Sequence, residues 1–546
     1  MRSVALFLAL LLTAAIPRPA EALVVLGWHD IRDRIADGDP DADAVTTRNF
    51  AMQLDWLRAH GYVPVSAQAV RDARAGRGTL PPKAVLLTLD GGYRSAYTQA
   101  LPLLRAFDYP ALVAVPTSRV DASGATVRVG MRDVPRSAFL GWSDVKALQA
   151  SGLVEVASQG HDLAMPVAGD PQGDLLPAAI TRRWTGSGYE TEAAQRERIR
   201  ADLATSADRL ERATGRRPQI VVWPVGGVSG AARAAADSVG LATIIGPDGR
   251  SGTSELHYAG VARPGDDAFP GARLVMVENA GASDLAYELR RDPRLDGIRV
   301  VRVSLDDIAA ADATTTSSNV DALAERIRSI HPSHVILDAT SADAAWFPTG
   351  AMSVRSDLLA HVAARIRARS GAKVLAWMPA AASPDAYADL ANEPVDGIVV
   401  GDGADPTAAL ARAKAVRPDL VRVRAITVPA GDAAPIAAQM PSLASSYDFI
   451  VAMLPHDQRG SRREVDRAVA TVAASPAALD RTVFVIDTGD TAHPIPADEL
   501  EAQARRVVAS GGRHVGYSRD IALKDLPPLE PARAAISARA FPYQER

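Results

Sequence analysis

Short apolar runs alternate with stretches of helical apolar spacing along most of this chain. In the first half, Leu23 to Trp28 form an apolar run that ends in two polar residues, His29 and Asp30. Phe50, Leu54 and Leu57 then fall at helical spacing, and Gly61 ends that helix. Val63 and Val65 start another strand, and Val85 to Leu89 form a strand that delivers Asp90. The alternation continues: Leu101–Phe107 helical, Ala111–Val115 strand, Asp144–Ala150 helical, Leu153–Ala157 strand, Arg196–Thr214 a long amphipathic helix, Ile220–Trp223 strand. Strand and helix in turn predict a mostly parallel sheet covered by helices. In such sheets the polar residues at the carboxyl ends of the strands gather into one site.

The pattern breaks at a Pro/Gly-rich stretch containing Pro264, Gly265, Pro270 and Gly271, and strand signals resume from about residue 290. Eight apolar runs follow: Arg299–Leu305, His334–Asp338, Lys373–Trp377, Asp396–Val400, Leu420–Ile426, Asp448–Leu454, Thr482–Asp487 and His514–Tyr517. Most intervals carry a helical pattern, as in Val320–Ile330, Ser356–Arg369 and Asp498–Ala509. Eight strands with intervening helices predict a (β/α)8 barrel.

A length of 546 residues exceeds one core and suits two large domains. Net charge is −4, and no basic excess points to nucleic acid or an anionic membrane. There is no cysteine, which excludes disulfides, thiolate metal sites, a cysteine nucleophile and a lipoprotein anchor. Residues 1–22 read as a secretory leader, with Arg2 as the charged start, an apolar run from Val4 to Ile16, and Ala20-Glu21-Ala22 as the cleavage motif. That run is short for a membrane span, and the later sequence has no transmembrane run. The expectation is export across an inner membrane into the periplasm. The domain expectation is a leader over 1–22, a first domain over 23–275, a linker over 276–295 and a barrel over 296–546.

Four segments of the first half carry chemistry: Leu26-Gly27-Trp28-His29-Asp30-Ile31, Leu87-Thr88-Leu89-Asp90-Gly91-Gly92-Tyr93, Leu153 to Asp162, and Val221-Val222-Trp223-Pro224. In content, order and spacing they resemble the polysaccharide deacetylases of the NodB-homology class, and in particular the poly-β-1,6-N-acetylglucosamine N-deacetylases. The resemblance implies an α/β fold of two domains: a distorted (β/α) polysaccharide-deacetylase barrel, then a glycoside-hydrolase-like (β/α)8 barrel. Trp346-Phe347-Pro348, Ala376 to Pro379, Val395 to Val400 and Tyr447 to Met453 extend it into the second half.

The family chemistry is metal-assisted amide hydrolysis, with a cation on one aspartate and two histidines and a second aspartate as base. The resemblance assigns Asp90 to the base. It also implies that the three ligand positions are occupied here by Gly91, Gln159 and Ala164. Glycine and alanine have no side-chain donor, and glutamine is a weak neutral one. No cofactor is therefore expected. The alternative is a divalent metal (zinc, nickel, cobalt or iron) at a relocated site built from His29, Asp30, His161 and Asp162. If those residues hold no metal, His29 and Asp30 are hydrogen-bonding groups at the strand ends and His161 is a loop histidine.

In the second half the strand ends carry Ser304, Asp306, Asp338, Asp402, His456, Asp487 and Asp520. Glycoside hydrolysis needs two facing carboxyl groups. Asp402 matches the surviving aspartate of the family motif, with Asp306, Asp338 or Asp487 as possible partners. Trp346, Phe347, Trp377 and Tyr517 are candidates for a glycan-stacking platform, or else are core and rim packing.

Three functions stay open. The chain is a degenerate deacetylase that binds glycan or a partner in exopolysaccharide export, an active N-deacetylase with a relocated metal, or a hydrolase acting through its barrel. The resemblance implies β-1,6-linked N-acetylglucosamine polysaccharide as ligand and an outer-membrane export porin as neighbour.

Overall fold

The structure, a computed structural model, describes residues 23–245, 248–250, 273–290 and 297–538, apart from short breaks at 38, 40, 42, 131, 225–227, 343, 430–432 and 455–460. The expected leader, the Pro/Gly-rich stretch at 264–271 and His456 lie outside the described residues.

The first domain is built on nine parallel strands: β1 (Val24–Trp28), β2 (Val63–Pro64), β3 (Ala84–Leu89), β4 (Ala111–Val115), β5 (Val154–Ser158), β6 (Ile220–Val222), β7 (Ala242–Ile245), β8 (Asp248–Arg250) and β9 (Arg273–Val275). Their order is β7-β6-β5-β4-β3-β1-β9-β8, with β2 paired to β3, so the sheet curls as an open, barrel-like surface. The apolar runs are continuous because both faces of the sheet are covered. Leu26, Leu87, Leu89, Val113 and Val156 pack on one side, and Val25, Leu86, Leu112, Ala114 and Val222 on the other. Helix Thr47–Ala59 buries Phe50, Leu54 and Leu57, the three residues that predict it.

Register aligns the functional strand ends. Trp28 lies beside Leu89, and Val115 and Val221 both flank Ser158. His29, Asp90 and Gln159 therefore emerge at one edge of the sheet. Residues 276–290, expected as part of a linker, pack into this domain. Met276, Ala280 and Leu285 are core residues, and helix Ala282–Arg290 lies on helix Thr47–Ala59. Their apolar positions bury surface that a solvated linker would leave exposed.

The second domain is a closed barrel of eight parallel strands: β10 (Arg299–Ser304), β11 (His334–Asp338), β12 (Lys373–Met378), β13 (Gly397–Val400), β14 (Val421–Thr427), β15 (Phe449–Leu454), β16 (Thr482–Asp487) and β17 (His514–Asp520). Every predicted strand is present, to within a few residues at the ends. Alternate residues point inward, so Val300, Ile336, Leu375, Val399, Val423, Val451 and Val485 fill the interior. The opposite set packs against the surrounding helices.

The two domains meet along a polar seam. The Tyr189 hydroxyl donates to Asp357 at 2.5 Å, and Gln172 Nε2 donates to the Asp357 carbonyl at 3.1 Å. A narrow cavity beside this contact is lined by Arg182, Tyr189, Asp389 and Glu393. Burial pushes the Glu393 acid well above its ordinary value, Asp357 adds to the shift and Arg182 opposes it.

Two predictions follow from these packings. β17 closes the barrel on β10 at Gly516, where an added Cβ would sit 2.7 Å from the Val300 backbone oxygen. Gly516→Ala should destabilise the chain by about 1–3 kcal/mol through overpacking, while Gly350→Ala, at an open position, should not. Thermal and urea melts of the two variants test this. Glu393 holds its proton more tightly folded than unfolded, so its contribution is full below its ordinary value of 4.5 and falls as pH rises through the raised native value. Glu393→Gln should therefore match wild type in acid and exceed its stability at alkaline pH by about 1–3 kcal/mol, as read by urea melts across pH.

Candidate functional site

Six consecutive buried residues of β3 carry the chain to Asp90. The Asp90 amide donates to the Trp28 carbonyl at 2.9 Å, which extends the ladder by one residue. Gly91 and Gly92 then turn the chain with φ of 80° and 68°, a conformation open to glycine but rarely to an L side chain. Arg119 donates to the Gly91 carbonyl at 2.9 Å and pins the turn.

Asp90 is buried, and its Oδ2 accepts from the guanidinium of Arg273, which is equally buried. Arg273 begins β9, and its stem runs across Gly27. A Cβ on Gly27 would meet the Arg273 Cδ at 3.1 Å, so the glycine opens the path by which the arginine reaches the aspartate. Gln159, at the end of β5, makes a second bridge. Its Oε1 accepts the Gly91 amide at 2.9 Å, and its Nε2 donates to Asp90 Oδ2 at 3.4 Å. Asp90 Oδ1 has no hydrogen-bond partner.

A cation held as the resemblance implies does not fit these residues. Asp90 Oδ2 already carries a guanidinium and an amide, and a second positive charge beside Arg273 would be repelled. Gly91 offers no donor, and a side chain there would meet the left-handed backbone and the Tyr93 ring, 3.0 Å from its Cβ. Gln159 spends its carbonyl oxygen on the Gly91 amide.

Asp30 and His161, two of the four relocated candidates, are committed elsewhere. Asp30 binds Arg32 at 2.6 Å and accepts from Ser95 at 2.7 Å. The His161 ring meets the Thr117 hydroxyl at 2.9 Å, while Asp162 is exposed. The amides of His161 and Asp162 both donate to Asp202 at 2.6 Å, so this loop is organised by a carboxylate on helix Glu192–Thr214. His29 Nδ1 is buried without a partner. Among the described residues, His29, Asp30, His161 and Asp162 do not form a ligand cluster; the group that does is Asp170, Asp174 and His361.

At the barrel mouth, Arg302 points inward, pairs with Asp338 at 2.8 Å and lies 3.7 Å from the Trp377 ring centre. Burial raises the Asp338 acid and Arg302 opposes that shift. Asp306 pairs with Arg355 at 3.3 Å, and Asp307 with Arg519. Asp520 is fully buried against Arg326 and the Tyr517 hydroxyl. Asp402 is exposed and accepts the Gly403 amide at 2.9 Å, and Asp487 accepts the Gly489 amide at 2.9 Å. The expected aromatic platform needs correction. Trp346 and Tyr517 are 1% and 0% exposed, and Phe347 is equally buried, so these rings are core and cannot stack on a sugar. Trp377 remains half-buried at the rim, with one face against Arg302.

Residues 77–244 match the polysaccharide deacetylase family, and residues 302–396 match the hypothetical glycosyl hydrolase family 13. The first domain thus contains the polysaccharide deacetylase match, and the first part of the barrel contains the glycosyl hydrolase match. Over 378 residues it is 31% identical to the poly-beta-1,6-N-acetyl-D-glucosamine N-deacetylase of Escherichia coli K12, an alignment covering 67% of this chain and 54% of that protein. It spans about half the length of the curated relatives it matches. Among solved structures, the BpsB deacetylase domain of Bordetella bronchiseptica is 38% identical, covering 48% of this chain and 98% of that one at a TM-score of 0.39. The PgaB (BpsB) glycoside hydrolase domain of the same organism is 20% identical, covering 44% and 99% at 0.40.

Sequence reasoning singled out Asp90 and Gln159 but missed Arg273 and Asp202. No local pattern marks Arg273, which lies 183 positions from the carboxylate it neutralises. Removing one partner of a buried pair strands the other. Arg273→Met should cost about 3–5 kcal/mol, and adding Asp90→Asn to it should restore most of that loss. Urea unfolding of the two single variants and the double variant measures the coupling, and additive losses would rule the pair out as a direct interaction.

Proposed function

We propose that this chain works in the export or modification of a poly-β-1,6-N-acetylglucosamine-type matrix, as a protein that binds the glycan or a partner and does not hydrolyse amides. Supporting the pathway is the similarity to N-deacetylases of that polymer. Supporting the non-catalytic reading is one observation above all: Asp90, the residue matching the family base, is neutralised by Arg273 and bridged by Gln159 where the family places its metal. Asp90 Oδ2 is already occupied by the Arg273 guanidinium and the Gln159 amide, and Gly91 and Gln159 leave no free side-chain donor for a cation that would acidify a water. The leader motif supports export to the periplasm, where an outer-membrane porin of the same pathway is the expected neighbour. No cofactor is assigned to the Asp90 site.

One observation favours the active reading. Asp90 Oδ1 lacks a donor and is the atom a base would use. The barrel reading, with Asp402 as one carboxyl group, has less support, since Asp306 and Asp338 are ion-paired.

The test is amine release from β-1,6-N-acetylglucosamine oligomers, with zinc, nickel, cobalt or iron supplied in turn, alongside calorimetry of oligomer binding. The expected result is no amine release above the blank with binding retained. Amine release that disappears in Asp90→Asn would overturn the proposal, and clipping of the oligomer that disappears in Asp402→Asn would move the activity to the barrel.

A further inference from the structure

The seam between the domains holds a side-chain cluster that neither the deacetylase motifs nor the barrel motifs account for. A hairpin of the first domain, Val167–Ala168 paired with Leu175–Leu176, carries Asp170 and Asp174 in its loop. The second domain contributes His361 from helix Leu359–Ser370. One ligand atom from each residue lies within 4.8 Å of the others. His361 Nδ1 is 2.5 Å from Asp174 Oδ2.

Asp170 is the telling member. It is 0% exposed, its Oδ1 accepts the Asp174 amide at 2.9 Å, and its Oδ2 has no partner. A buried carboxylate oxygen without a donor is costly, and a second carboxylate beside it makes the cost greater. His361, on the second domain, acts on both carboxylates, and Arg365 of the same helix acts on Asp174. Asp170 Oδ2 nevertheless has no hydrogen-bond partner in its buried position.

We propose that Asp170, Asp174 and His361 bind a divalent cation of the zinc type across the interdomain seam. Two carboxylate oxygens and one imidazole nitrogen make a three-ligand N/O set suited to zinc, with a water in the remaining position. A cation would supply Asp170 Oδ2 with the partner it lacks and neutralise both carboxylates. On binding it displaces the proton between His361 Nδ1 and Asp174, which passes to Nε2 of a neutral ring or, from an imidazolium, to solvent. Its ligands come from both domains, so the ion would tie them together. The tie is anchored beside it by the contacts of Tyr189 and Gln172 with Asp357. This site is separate from Asp90 and does not depend on whether Asp90 catalyses.

The experiment uses the full chain stripped with a chelator, with zinc ion alone as the probe in calorimetry and thermal melts. Cobalt(II) absorption reports on the ligand set. The expected result is one equivalent of zinc bound, a rise in melting temperature reversed by chelator, and cobalt bands of a low-coordinate N/O site. His361→Ala and Asp174→Asn should each weaken zinc binding at least ~10-fold, while His161→Ala should not. If these variants fold poorly, anomalous scattering from zinc-soaked wild-type crystals gives the location directly. No zinc-dependent change, loss of binding in His161→Ala, or an anomalous peak elsewhere would overturn the proposal.

Discussion

A carboxylate buried at the end of a parallel strand has to be neutralised, and in the first domain the surrounding structure is arranged around how that is done. Asp90 is buried, and its Oδ2 is met by Arg273 and the Gln159 amide. Several otherwise unconnected features serve this contact. β9 pairs with β1 so that Arg273 starts beside the site. Gly27 leaves room for the arginine stem, and Gly91 turns its amide toward Gln159. In a metal-binding version of this strand end the positive charge would arrive as an ion; here it is covalently part of the chain.

The barrel mouth follows the same logic. Strand ends in a (β/α)8 barrel collect polar side chains in a confined space, and carboxylates there need partners. Arg302, Arg355 and Arg519 supply them to Asp338, Asp306 and Asp307. Arg302 also lies over the Trp377 ring, so an arginine covers one face of the rim aromatic. Both domains keep their α/β scaffold while arginines meet the charge at the strand ends. The interdomain cluster of Asp170, Asp174 and His361 is the contrasting case, since its buried Asp170 oxygen has no such partner.

Much of this was legible in the chain. All eight barrel strands and the main helices of both domains follow from apolar period alone, because a strand buried on both faces leaves little choice of residue. Asp90 was legible because a carboxylate directly after the mostly apolar run Val85 to Leu89 marks a strand end. Less legible were positions whose meaning depends on contacts distant in sequence. Trp346 and Tyr517 read equally as stacking platform or core, and the packing places them in the core. Residues 276–290 read as linker because they lie between the Pro/Gly-rich stretch and the restart of strand signals, yet Met276 and Leu285 seat them on the sheet.

What the sequence by itself determined is the scaffold: two α/β domains and the strand ends where chemistry would occur. The tertiary structure decided which side chains meet there. Burial and charge pairing act over ångströms in space and are indifferent to separation along the chain, so Arg273 could be assigned to Asp90, Asp202 to the His161 loop and His361 to Asp174 only once the sheets and the seam had brought them together.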